Sequence, residues 1–365
     1  MGKFQIINKN SKEILIGLEL LRFISALAIL IWHYQHFAML PNAHNFEPQQ
    51  QPFYNYLSFF YLNGAKAVYL FWALSGYIFF YNYYTEIKTY KLTIYTFFID
   101  RLSRLYPLHL FTLLVLLFLQ FSFFSNQQEY FIYQNNDVYH LILNLFFINY
   151  WGFEKGYSFN GPVWSVSAEV LIYFIFFFTT LKLSIRHNVL AIFVILISMY
   201  ILELKALFMC VVFFYLGGIL NRVVEKNERF VLLIVLLIPF LLFALELSKE
   251  EFIFSLPDYP NLFRDGFFCL SLLIVFLKVG SLLKPFASFI SGLGNLTYSM
   301  YLCHFPIQLL MVLFFLKQKI EIPYKDSWLF LFFISITIFI SFFVYKILEK
   351  PSKEFLRKKL NQNFG

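Results

Sequence analysis

The chain has 365 residues, 60% of them hydrophobic, 22% aromatic and 14% charged, with a mean hydropathy of +0.66. A soluble domain is near half apolar and a quarter charged, so this composition excludes an ordinary soluble fold and predicts an all-α, polytopic membrane bundle. The net charge of +8 does not argue for nucleic acid as a partner, because its distribution follows membrane topology.

Counting about 20 apolar residues as one span, the chain predicts about ten transmembrane helices. They lie at roughly 15–39, 65–84, 103–124, 163–181, 189–204, 206–221, 230–247, 262–279, 295–316 and 327–348. The first run is too long for a signal-peptide core and no small-residue cleavage site follows it, so it is expected to be retained. Within it, Arg22 and His33 are 11 residues apart. Eleven steps of about 100° return to within about 20° of the same helix face, with a rise of about 16 Å between the two. Ionisable side chains are costly in lipid, so a pair on one face of a span points to an interior polar site.

One further run, 139–151, is too short to span and predicts a re-entrant or interfacial helix. With that run left out, both termini face the cytoplasm and 21 of the 29 Lys and Arg gather on the inner side. Counted as a span, it would put the basic tail, about 349–365, outside, against the positive-inside rule. The outer segments 41–56, 125–138 and 152–162 are rich in Asn, Gln, Tyr and Phe. Amides and rings suit carbohydrate hydroxyls, and ordinary wet loops have a similar composition. No polar stretch is long enough for a second domain, so residues 1–365 are read as one membrane domain. Cys210, Cys269 and Cys303 all lie inside apolar runs, with neither a disulfide framework nor a metal spacing. There is no internal repeat, glycine-rich phosphate loop, GxSxG elbow or HExxH motif.

Four more polar clusters interrupt or flank the spans. Leu74, Ser75 and Gly76 sit inside FWALSGYIFF, where small residues serve close packing and Ser75 is a candidate supporting residue. In DRLSRLYP, at the inner end of the third span, Arg101 and Arg104 are one helical turn apart, with Tyr106 and Pro107 following. Two guanidiniums on one face make a fork for phosphate, and they also make an ordinary inner-end anchor. In GPVWSVSAEVLIY, Pro162 suits a helix start and Glu169 falls about two turns in, where a carboxylate needs a partner or a function. Trp164, Ser165 and Ser167 flank it, the serines either satisfying nearby backbone or lining the same cavity. In LTYSMYLCHFPI, Tyr298, Tyr301 and His304 share or alternate faces ahead of Pro306, which is expected to kink the helix. A lone membrane histidine beside aromatics is often a satisfied interhelical hydrogen bond, so His304 is open to either reading.

These segments resemble, in order, the motifs of the acyltransferase-3 family of integral membrane acyltransferases. LRFISALAILIWHY is similar to the first-helix motif, FWALSGYIFF to the LSG motif and RLSRLYPLH to the RxxR-YP segment. GPVWSVSAEVLIY is similar to WSLSxE, and YSMYLCHFPI to YSxYLxHxPI. The resemblance runs from about residue 17 to Glu349–Pro351. It implies a ten-helix bundle in the bacterial cytoplasmic (inner) membrane that moves an acyl group, usually acetyl, from cytoplasmic acyl-CoA to an extracytoplasmic carbohydrate hydroxyl. Acyl-CoA would be a co-substrate, with no permanently bound cofactor and no metal. The implied partners are membrane lipid and a cell-surface glycan or lipid-linked oligosaccharide. The essential arginine and histidine of the first helix match Arg22 and His33, the arginine pair matches Arg101 and Arg104, and the acidic residue matches Glu169. The second carboxylate often present after that position is Val170 here. No esterase-like domain is expected after the bundle, as in the stand-alone members.

On this reading Arg101, Arg104 and Arg22 bind the CoA phosphates, and His33 acts as general base or first accepts the acyl group. Glu169 is expected to orient the imidazole or to stabilise its protonated form, as the third group of a triad does, with His36, one turn beyond His33, a secondary candidate. A polysaccharide or lipid transporter and a glycan polymerase or ligase are the competing classes.

Overall fold

The computed structural model describes residues 9–39, 46–226 and 261–364, and among them every regular element is helical. The first span forms α1, Lys9–His33, extended by a 3₁₀ segment, Tyr34–Ala38. A ten-residue helix α2, Tyr54–Asn63, stands where the sequence reading left an outer loop and a gap before the second span. Next come α3 (Ala67–Lys88), α4 (Ile94–Gln127) and α5 (Val138–Leu145). They are followed by α6 (Trp164–Lys182), α7 (Ile185–Ile201) and α8 (Lys205–Lys226). The series closes with α9 (Leu262–Val279), α10 (Ala287–Gln318), α11 (Ser327–Val344) and α12 (Lys350–Phe364). The run expected at 230–247 lies outside the described residues.

Six of these helical stretches are long and apolar enough to cross a membrane: Leu15–Ala38, Ile94–Gln127, Gly161–Lys182, Lys205–Val224, Lys284–Gln318 and Ser327–Leu356. The protein is therefore a multi-pass membrane protein, although ten spans with both termini cytoplasmic is an expectation that reaches beyond those six. The remaining predicted spans fall short for local reasons. α3 is diluted by five tyrosines, α7 has only 17 residues, and α9 carries Arg264, Asp265 and Lys278. The run at 139–151 yields only the eight-residue α5, about 12 Å long and unable to span. Its N-cap is Asp137, whose carboxylate accepts the His140 N–H at 2.8 Å and faces His140 Nδ1 at 2.7 Å.

Two boundaries change the setting of the motifs. α4 starts nine residues before the expected position, because Thr93 caps it by accepting the Thr96 N–H at 3.2 Å. Arg101 and Arg104 are consequently two to three turns inside a helix, not at its end. α10 runs unbroken through Pro306, which removes the donor that the Leu302 carbonyl would have received. Buried Asn160 replaces it, donating from Nδ2 to Leu302 O at 3.1 Å.

Interhelical contact in lipid depends on fit, since tails are as apolar as the side chains they would replace. α3 and α8 cross so closely that a Cβ on Gly76 would overlap the Phe214 carbonyl, and one on Gly217 the Ala73 carbonyl. α1 packs against α3, α9 and α10, and α4 packs against α10 and α12. Phe118, Phe121, Phe193 and Trp328 stay outward and more than half exposed, a surface that lipid tolerates and water does not.

Candidate active site

A cavity of about 120 Å³ opens where α1, α3, α4, α6 and α10 converge. Its walls carry Arg22, Ser75, Arg101, Arg104, Ser165, Glu169, Tyr173, Tyr298 and Tyr301. One water needs about 10–15 Å³ by this measure, so the space admits a small acyl group with water but not a nucleotide.

The polar wall is built by short local rules. Glu169 lies five residues into α6, and Tyr173, one turn later on the same face, donates to its Oε1 at 2.7 Å. Ser75, brought in by α3, donates to the same oxygen. Gly76 beside it makes the close helix crossing, so the LSG motif supplies both packing and a polar contact. The charged neighbours of Glu169 are Arg104 and Arg22.

The three arginines are not equivalent. Arg22 Nη1 meets both carboxylate oxygens of Glu19, at 2.9 and 3.0 Å. Arg101 Nη2 donates to Asp100 and to the Tyr83 hydroxyl, both at 2.5 Å, with its guanidinium 5.1 Å from the Tyr83 ring centre. Arg104 lines this cavity and a second one beside it, and makes no hydrogen bond or ion pair among the described residues.

A histidine cluster forms the other half of the site. The His33 ring lies 4.6 Å from His304 and 4.9 Å from His36, centre to centre, with Trp32 edge-on at 4.6 Å. His33 Nδ1 is 3.0 Å from the Ile29 carbonyl, which only accepts, so Nδ1 carries the proton and Nε2 holds the lone pair. His304 repeats the arrangement with the Met300 carbonyl at 3.3 Å, leaving a buried Nε2 without a partner among the described residues. Gln308 Nε2 donates to the His33 carbonyl at 3.0 Å, tying α10 to the end of α1. Tyr301 joins the halves: it lines the cavity, and its ring centre is 6.0 Å from that of His304.

One expected pairing is not formed. Glu169 does not orient His33: the carboxylate is committed to Ser75 and Tyr173, and the imidazole to a backbone carbonyl on its own helix. The two residues belong to opposite halves of the site.

The other candidates divide between cavity and scaffold. Ser165 Oγ is 2.7 Å from the Tyr301 hydroxyl, and both donate to the Pro162 carbonyl. Tyr298 donates to the Leu105 carbonyl at 2.6 Å, joining α10 to α4 next to Arg104. Ser167 faces away, donating to Phe147 O and accepting from Tyr150 N–H. Tyr106 packs on His109 and Phe147 outside the cavity. Trp164 packs edge-on against Trp72 and lies beside Tyr150.

Several contributors escaped the sequence reading. Glu19 precedes Arg22 by three positions, a visible ion-pair spacing. Glu349, within EKP, is buried and accepts from Ser299 Oγ at 2.6 Å. Gln308 is a single amide in an apolar run, and Asn160 is one amide within a polar outer segment, with nothing local to single it out.

The acyltransferase-3 family, described as an acyltransferase domain, matches residues 15–346, which takes in both halves of the site. The chain belongs to this family. No curated protein and no solved structure matches it. For a membrane acyltransferase the arrangement is chemically coherent: cations and a carboxylate enclose one cavity, and imidazole nitrogens lie beyond the tyrosine that bounds it.

Proposed function

We propose that this acyltransferase moves an acyl group, acetyl by preference, from acyl-CoA to a hydroxyl of an extracytoplasmic carbohydrate. The observation that carries the reading is the arginine-walled cavity joined through Tyr301 to the His33–His304 pair. Arg104, with no hydrogen bond or ion pair among the described residues, offers a two-pronged donor for a donor phosphate, while Arg22 and Arg101 are already paired with Glu19 and Asp100. Arg22 and His33 are separated by a rise of about 16 Å along α1, comparable with an extended pantetheine arm.

The chemistry assigned to the site is a direct transfer. His33 Nε2 takes the proton of the sugar hydroxyl as its oxygen attacks the thioester carbonyl. The C–O bond forms, the C–S bond breaks, and the leaving thiolate takes a proton to give free CoA. Glu169 holds Ser75 and Tyr173 and balances the arginines. The acceptor side is supported by rings: Tyr150 and Tyr157 stack at 5.4 Å beside Trp164, and Tyr133 connects Tyr157 to His36. In this reading the arginine end faces the cytoplasm of a bacterial inner membrane and the aromatic end faces the glycan.

The test is purified protein in lipid nanodiscs with acetyl-labelled acetyl-CoA and surface glycan. Label on the glycan with release of free CoA supports the proposal. Glycan transport or chain growth without consumption of acetyl-CoA overturns it.

A further inference from the structure

The second cavity, about 240 Å³, lies against the first and shares Arg22 and Arg104 with it. Its other walls are Glu19, Asn295, Tyr345, Glu349, Lys350, Lys353 and Glu354. Four cations thus face three carboxylates, and the cavity stays positive even with every carboxylate ionised. The compensation is also uneven. Glu19 is taken by Arg22, and Glu349 accepts from Ser299 while lying within electrostatic reach of Arg104 and Lys353. Lys353 is half-buried and lies within electrostatic reach of Arg104 and Arg101 as well as of Glu349 and Glu354. Neither Lys350, Lys353 nor Arg104 makes an ion pair among the described residues.

The backbone explains how the lysines reach this place. Pro351 has no N–H for the Ile347 carbonyl and its ring crowds that carbonyl. The helix widens over Tyr345–Glu349, and the Lys350 N–H reaches back five residues to Tyr345 O. Such π-turns shift the register of the helix beyond them and recur at functional sites. Here the shift buries Glu349 and lays α12 along α4, with Lys350 and Lys353 on the cavity wall beside Arg104. Lys353 is half-buried there, and Lys350 stands exposed at the rim.

We propose that this second cavity is a phosphate-binding antechamber, in which Arg104, Lys350 and Lys353 hold the phosphates of the acyl donor while the first cavity takes its thioester arm. The assignment rests on the acyl-CoA reading for the identity of the donor. The phosphate chemistry rests on the cavity alone. A dianionic phosphate fits because four cations converge against three carboxylates, and the cations without an ion pair among the described residues can donate to a multivalent oxyanion.

The experiment titrates CoA, S-acetylpantetheine (the same arm without phosphates) and pyrophosphate into the full-length protein in neutral-lipid nanodiscs. Wild type is compared with Lys350→Ala/Lys353→Ala and with Lys353→Arg, and size-exclusion profiles confirm that each variant is folded. The double alanine variant should lose about tenfold or more in CoA and pyrophosphate affinity, since each charge-assisted hydrogen bond carries roughly that factor. S-acetylpantetheine should bind unchanged, and Lys353→Arg should keep CoA affinity. Unchanged CoA and pyrophosphate affinity in the double variant overturns the proposal. So does a loss seen only for nanodiscs doped with phosphatidylglycerol, which would make the lysines lipid-headgroup ligands. If wild type binds pyrophosphate through these lysines but not CoA, the antechamber stands and the acyl-CoA reading falls. If it binds neither, both fall.

Discussion

His33→Ala separates the chemistry of the histidine cluster from its packing. The backbone contacts at the end of α1 survive the change, because Gln308 donates to the His33 carbonyl and not to its ring. Nor does the Ile29 carbonyl become an orphan, since the His33 N–H of the same helix still reaches it. The loss to the fold is ring contact with Trp32, His36 and His304, about 1–3 kcal/mol for a buried truncation without an unsatisfied partner. The loss to the reaction is the general base, worth about 10²–10⁴ in rate, or roughly 3–5 kcal/mol of barrier. The assay is transfer of labelled acetyl from acetyl-CoA to glycan, alongside CoA affinity and thermal stability in detergent. The expected outcome is a turnover drop of at least about a hundredfold with CoA affinity held within about threefold. Full activity in a folded His33→Ala protein would refute His33 as base. Loss in His304→Ala but not in His33→Ala would move the role to the imidazole on α10.

Glu169→Gln keeps an acceptor for Ser75 and Tyr173 but removes the charge facing Arg104 and Arg22. Transfer should fall well below wild type while Ser75→Ala, which removes one donor to Glu169, falls less; steady-state rates of the two variants check the order. Gly76→Leu should prevent the α3–α8 crossing and abolish folded protein, because the new side chain would occupy the Phe214 backbone; size-exclusion chromatography reads the result. At the N-cap of α5, the His140 N–H holds the Asp137 carboxyl below its ordinary value, followed by the His140 side chain and the charges of His140 and Lys155. A depressed folded value means its stabilisation is present above about pH 4 and is lost as pH falls through the folded pKa. Asp137→Ala should cost about 1 kcal/mol at neutral pH and less at acid pH, as amide exchange in α5 would record.

The membrane class, the helices behind nine of the ten predicted runs, and much of the cavity wall are properties of the sequence alone. The reason is that lipid leaves few options: a charged or hydroxylated side chain in a long apolar run must turn inward. Arg22, Ser75, Arg101, Arg104, Glu169, Tyr298 and Tyr301 are each visible as such interruptions, and they do line one cavity. Helix ends are less legible, because Thr93 as cap and Pro351 as the cause of a π-turn act through single backbone hydrogen bonds that leave hydropathy unchanged.

Partner choice between helices was decided only by the tertiary structure. Helical spacing says which residues share a face but not how far neighbouring helices are rotated, and rotation here follows from close crossings such as Gly76 and Gly217. That geometry brought Ser75 to Glu169, turned His304 toward His33 and left Arg104 open to both cavities, whereas Tyr173, Glu19 and Asp100 are partners supplied by near neighbours in sequence. Periodicity could nominate the charged residues. Only the packing of α4 against α10 and α12 could decide which guanidinium was left free.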